Sequence, residues 1–179
     1  MKNRFYILLL PSDAVGRQVS ALRHTLRAVP GLSFSSSSAP AHLSVCSFLL
    51  KAGIEKQLVS LLDGLFGQLN RMLFETKCIS SFESSGTLFI SLNESEQYTV
   101  FQNQLVTELK HSIPALKRNM SVGAVPHLTL ARGCKGASLD GVKELVQQGY
   151  TVCSFTIGRV SLMLEREGKM SEYKSWNLI

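Results

Sequence analysis

The tetrapeptide His127-Leu128-Thr129-Leu130 repeats in kind a tetrapeptide 85 residues earlier, His42-Leu43-Ser44-Val45. Each is led in by a proline-bearing segment, Ala124-Val125-Pro126 and Ala39-Pro40-Ala41. The order His, apolar, hydroxyl, apolar is the period-2 alternation of a half-buried strand. On such a strand the imidazole and the hydroxyl share one face, about 7 Å apart, while the two apolar residues point into a core. The chain holds four His, 31 Ser plus Thr and 45% apolar residues. By chance a given His heads such a tetrapeptide about 3–4% of the time, and two of four do so in under roughly 1% of shuffled chains. The chain therefore has to build two equivalent strands.

The surrounding pattern repeats as well. Arg4–Leu10 reads as a strand, and Asp13 as the N-cap of a helix with Val15, Val19, Leu22, Leu26 and Val29 on one face, ended by Pro30-Gly31. Ser33–Pro40 is expected to be a polar loop before the His42 strand, which runs to about Leu50. Gly53 opens a second helix with Leu58, Leu61, Leu62, Leu65, Phe66 and Leu69 inward, and Leu73–Phe82 is a strand. The order then restarts: strand Gly86–Leu92, helix Glu94–Ile113, a basic loop Pro114–Pro126, the His127–Ala131 strand, helix Ser138–Gly149 and strand Val152–Ile157. Two further strands, Arg159–Leu164 and Tyr173–Ile179, flank a Glu165–Gly168 turn.

This implies an α+β domain spanning 1–179, with pseudo-repeats of roughly 1–83 and 84–158 and C-terminal strands in 159–179. Duplicated strand-helix-strand units would form two lobes whose antiparallel sheets face a central cleft, helices outside. A two-fold relation would then bring two imidazoles and two hydroxyls into one site. A length of 179 residues is enough for a sizeable core.

Two imidazoles that titrate near neutrality can act as one base and one acid, activating a water and protonating a departing alkoxide. The hydroxyls of Ser44 and Thr129 would hold the non-bridging oxygens of the tetrahedral centre. A phosphodiester suits this site, and a cyclic one especially, because its leaving oxygen stays tethered. A net charge of +6 with no basic tail favours an anionic partner.

On these motifs the chain resembles the 2H phosphoesterase superfamily, and within it the bacterial 2′-5′ RNA ligase, or RNA 2′,3′-cyclic phosphodiesterase, branch. The resemblance extends to the opening Arg4–Pro11 strand, to Leu130-Ala131-Arg132 and to the closing Trp176-Asn177-Leu178. It implies a bilobal duplicated fold and cofactor-free, metal-free action on 2′,3′-cyclic or 2′-5′ linkages in nucleotides or RNA. It also implies His42 and His127 as the acid–base pair and Ser44 and Thr129 as phosphate ligands. Arg132, directly after the second motif strand, is a further candidate for the phosphate. Some relatives carry a tyrosine where this chain has Met170, which cannot donate a hydrogen bond to phosphate.

Other readings are open to the same residues. Cys46 shares simple strand parity with His42 and Ser44, yet no other His or Cys stands at zinc-ligand spacing. There is no Gly-x-Ser-x-Gly elbow, P-loop or GxGxxG. An RNA- or nucleotide-binding module without turnover is one alternative, and 2′-5′ ligation or RNA processing another. His24 and His111 read as structural, and the aromatics Tyr6, Phe48, Phe89 and Tyr173 as core more than base platform. Four scattered cysteines and an apolar run of only Ile7–Leu10 fit a cytoplasmic protein with no membrane span, expected to be a monomer.

Overall fold

The structure, a computed structural model, describes residues 2–35 and 40–179. Ser36–Ser38 and Ala39, part of the expected loop and of the first motif's lead-in, lie outside the described residues. The elements run β1 (Lys2–Pro11), α1 (Asp13–Arg27), β2 (Ser33–Ser35), β3 (Leu43–Lys51), α2 (Glu55–Phe66) and β4 (Met72–Phe82). They continue with β5 (Thr87–Leu92), α3 (Glu96–Ser112), β6 (Met120–Val122), β7 (His127–Lys135), α4 (Leu139–Gln148), β8 (Ser154–Arg166) and β9 (Lys169–Asn177).

All strand pairings are antiparallel, and the sheet order is β2-β7-β5-β4-β8-β1-β3-β6, with β9 on β8. Exchanging β1 with β5, β2 with β6, β3 with β7 and β4 with β8 turns that order into its own reverse. The sheet divides into two wings joined by a short ladder, Met72–Glu75 of β4 against Ser154–Ile157 of β8. Beyond it β4 pairs with β5 and β8 with β1. Thr76, fully buried, marks the branch: its N–H donates to the Cys153 carbonyl (3.0 Å) and its hydroxyl accepts from Cys153 N–H (2.9 Å). Strand β9 occupies the edge of β8 that β4 leaves, from Arg159 to Arg166.

Each wing mixes the two sequence halves. Strand β2 of the first half closes the edge beside β7, and β6 of the second half closes the edge beside β3. Helices follow the same exchange, α1 packing on β7 and α4, and α2 on α3. The apolar periodicity sets these faces: Val15, Val19, Leu22 and Leu26 of α1 are buried, as are Leu58, Leu62 and Phe66 of α2.

Several boundaries differ from the sequence reading. Ser33–Ser35 and Met120–Val122 are strands rather than loop. Three residues cannot display an alternation, and their order comes from the partner strand. Val152–Ile157 and Arg159–Leu164 are parts of one strand, because Gly158 continues the extended chain, its carbonyl accepting from Leu178 N–H (2.8 Å). The N-cap of α1 is Ser12, with Asp13 in the first turn, where a carboxylate favours the helix dipole. Gly53, at φ +97°, forms the turn before α2, and its N–H donates to the Glu55 carboxylate (2.7 Å). The last strand ends at Asn177. Among the described residues no helix is long and apolar enough to cross a membrane.

The β6–β7 connection presses on the first motif. Gly123 N–H donates to the Val45 carbonyl (3.0 Å), and the Gln102 side-chain amide on α3 donates to the Gly123 carbonyl (2.9 Å). A Cβ at Gly123 would stand 2.7 Å from the Ser44 carbonyl oxygen, a backbone atom with nowhere to go. Gly123→Ala is therefore expected to cost about 1–3 kcal/mol, read as a lowered denaturation midpoint at unchanged m-value.

Candidate active site

Leu43, Val45, Leu128 and Leu130 are buried in the core, leaving His42, Ser44, His127 and Thr129 half-buried on the opposite face of their strands. The alternation then breaks at the same place in both motifs. Leu8 pairs Ser44 while Ile7 pairs Cys46, so Val45 is an extra residue; likewise Phe89 pairs Thr129 while Leu88 pairs Ala131, leaving Leu130 extra. A bulge re-aims everything after it. Cys46 and Ala131 turn into the core, 3% and 1% exposed, whereas Arg132 comes out to the face that carries His127 and Thr129. Simple parity placed Cys46 beside His42, and the bulge overturns that. Burial also pushes the Cys46 thiol up to about 12, far from a thiolate ligand.

The two imidazoles are held identically. His42 Nδ1 lies 2.9 Å from the Pro40 carbonyl oxygen, and His127 Nδ1 lies 2.9 Å from that of Val125. A carbonyl oxygen only accepts, so each Nδ1 carries the hydrogen and each Nε2 is left to act on a ligand. The residue two before each His thus fixes the tautomer, which gives the lead-in segments a physical role. Neither the Ser44 nor the Thr129 hydroxyl bonds to another group among the described residues.

Burial holds the pKa of both rings below the ordinary value, outweighing the carbonyl bond that favours the charged form. Nearby positive charge adds to this: Arg132 acts on both rings, and Arg23 and His127 act on His42. The structure therefore brings His42, His127 and Arg132 within electrostatic reach of one another. Arg23 was not found from sequence. It is a buried side chain on α1 whose guanidinium donates to the Thr129 carbonyl (2.8 Å), stiffening the second motif from behind. Its signal was present, since it stands four residues after Val19 and three before Leu26, on the apolar face.

Two phenylalanines wall one side of the His127 ring, Phe89 at 4.9 Å and Phe82 at 5.3 Å between centroids. Of the sequence's aromatic candidates, Phe48 and Phe89 are buried, while Tyr6 donates to the Glu165 carboxylate. On the His42 wing, Glu172 accepts from Arg159 (2.7 Å to each oxygen) and from Ser161 (2.6 Å). Those bonds hold its carboxyl below the usual range, the Ser161 bond most, and occupy it. A cavity of about 800 Å³ opens beside Pro40 and Ala41, with Arg17, Arg71 and Arg159 in its wall. It reaches the lead-in of the first motif and is lined by neither ring. Among the described residues no group of three or more His, Cys, Asp and Glu is placed to hold a metal ion.

The model of the 2′-5′ RNA ligase superfamily matches residues 11–169. The chain belongs to that superfamily. Membership places this 2H phosphoesterase among phosphoryl-transfer enzymes. Its fold is that of Escherichia coli LigT in complex with 3′-AMP, at 15% identity and a TM-score of 0.69, covering 99% of this chain and 98% of that one. It is equally that of a Thermus thermophilus protein, at 13% identity and a TM-score of 0.70, covering 98% and 97%. LigT has also been crystallised with phosphate and with ATP. No curated protein sequence matches this superfamily member.

The depressed histidine pKa values make stability depend on pH. An unfolded His binds its proton near 6.5, and the folded rings bind theirs lower, so below about 6.5 the unfolded chain carries more protons. Stability is therefore lost as pH falls through that value, until the folded rings titrate too. The double variant His42→Gln, His127→Gln should lose less stability than the parent between pH 7.5 and 5.5 in denaturant titrations. An equal loss in both proteins would exclude these rings as the source.

Proposed function

We propose that the chain is a metal-independent phosphodiesterase acting on 2′,3′-cyclic phosphate or 2′-5′ linked nucleotides or RNA. One observation carries this reading. Two imidazoles, locked in the same tautomer by the same kind of bond, present Nε2 on two facing strands, each with a hydroxyl two residues on. The positive charge of Arg132 acts on both rings, and Arg132 makes no ion pair among the described residues.

In this reading the phosphodiester lies between the rings, its non-bridging oxygens on the Ser44 and Thr129 hydroxyls and Arg132. One Nε2 takes a proton from water as its oxygen attacks phosphorus. The other, protonated, gives its proton to the leaving ribose oxygen as the P–O bond breaks. The products are a phosphomonoester and a free hydroxyl, and the two rings have exchanged protonation states. Both proton transfers are supplied by the imidazoles, so no metal-bound water is called for. The ligand complexes of LigT, with 3′-AMP and with ATP, support a nucleotide as the substrate. The superfamily's description favours a second reading, since the same pair run in reverse joins a ribose hydroxyl to a cyclic phosphate.

Turnover of a 2′,3′-cyclic nucleotide in the presence of EDTA is the direct test. His42→Ala and His127→Ala should each lower kcat by roughly 10²–10⁴-fold. Loss of wild-type activity with EDTA, restored by a divalent cation, would sink the proposal.

Both rings are predominantly neutral in the empty site at pH 7, and catalysis needs one of them charged. The bell in kcat/KM should therefore centre below pH 6.5, with the kcat bell displaced upward, because the bound anion stabilises an imidazolium. Arg132→Gln should move the kcat/KM profile to higher pH while raising KM. A profile that stayed put would separate Arg132 from the two rings.

A further inference from the structure

The two halves of the site are equivalent in backbone and unequal in what surrounds each ring. Strand register gives the correspondence. Leu8 lies opposite Ser44 as Phe89 lies opposite Thr129. On the next strand Ser161 lies opposite Leu8 as Ser80 lies opposite Phe89. Two pairs further on, Met163 opposes Tyr6 where Phe82 opposes Thr87. The positions that hold Phe89 and Phe82 beside His127 thus correspond to Leu8 and Met163 on the His42 wing.

The aromatic pair is built as a layer. Phe82 and Phe89 lie 4.3 Å apart with their rings tilted by 30°, and each ring is inclined to the imidazole, at 84° and 55°. Phe89 is 4% exposed and has no face left to offer, whereas Phe82 is 39% exposed. Shielding His127 needs only the covered part of Phe82. The exposed part is aromatic surface left in water beside the His127 imidazole, whose centroid lies 5.3 Å from that of Phe82.

We propose that Phe82, backed by Phe89, is the seat of the substrate's nucleobase, so that a bound nucleotide lies with its base on the His127 side of the cleft. The inference rests on the cyclic phosphodiesterase reading and adds to it the residue that receives the base and the side of the cleft on which the base lies. Phenylalanine offers a π-face and no hydrogen bond. The seat therefore accepts all four bases and ranks them by stacking area, purines before pyrimidines. It also breaks the two-fold ambiguity of the site, because the phenylalanine pair stands against His127 and not against His42.

The test compares 2′,3′-cyclic AMP, 2′,3′-cyclic UMP and glycerol 1,2-cyclic phosphate, with EDTA present, for the wild type, Phe82→Leu and Phe82→Trp. The quantity read is the nucleotide-to-glycerol ratio of kcat/KM within each protein, which cancels any general damage to the site. The wild type should prefer the nucleotides, adenine first. Phe82→Leu should cut that ratio by roughly 5- to 150-fold, mostly through KM, and Phe82→Trp should restore it. A ratio unchanged in Phe82→Leu, or a loss shared equally by the glycerol substrate, would overturn the proposal and leave Phe82 as a shield for His127. If the wild type turns over none of the three, the phosphodiesterase reading fails by itself. Calorimetric affinities for AMP and for inorganic phosphate then decide the base seat through the same ratio in the same variants.

Discussion

Everything in the site hangs on the ladder between Met72–Glu75 and Ser154–Ile157, which among the described residues is the one strand pairing between the wings. Its hydrogen bonds fix the angle at which the two motif strands face each other. Thr76 closes it at the point of divergence, where a buried peptide group would otherwise lack a partner as the strands part. Helices then cross from one half of the chain to cover the other, and their polar side chains bind backbone at the motifs. Arg23 of α1 holds the Thr129 carbonyl and Gln102 of α3 holds Gly123 against Val45. The strands that carry the histidines are thereby supported from the core side.

The electrostatics follow from that placement. A strand face closed in by a second wing is partly dry, and a dry imidazole sheds its proton. Arginines added to that surface push in the same direction while drawing anions in. A site of this kind is neutral at its rings and positive at its rim until an anion enters, and the anion then supplies the charge that allows one ring to become an acid. The carboxylates that could have short-circuited this arrangement are committed elsewhere, Glu172 to Arg159 and Glu165 to Tyr6.

Much of this was legible in the chain. The repeated His-x-hydroxyl pattern announced both strands and the pairing of their faces, and helical periodicity located all four helices to within two or three residues. What escaped did so for definite reasons. A bulge leaves no trace in an alternation read residue by residue, so Cys46 was put on the wrong face and Arg132 reached the right one only through proximity in sequence. The three-residue strands β2 and β6 exist because a partner edge exists. Phe82 stood at the end of a strand, where pattern says nothing about neighbours, and its meaning came from a histidine 45 positions later. Arg23 was hidden by being sought among polar residues rather than along an apolar stripe.

The palindromic strand order has a consequence for how such a chain is made. Each wing needs strands from both ends of the polypeptide: β1 waits for β8, and β3 waits for β6, more than 60 residues downstream. While the first half is leaving the ribosome it holds β1 and β3 paired, with apolar edges uncovered on either side and helices whose partner strands do not yet exist. Contacts of such long sequence separation form slowly, and neither wing can be completed before the late strands of the chain exist. Two copies of a half-length polypeptide would meet the same topological requirement as an intertwined homodimer.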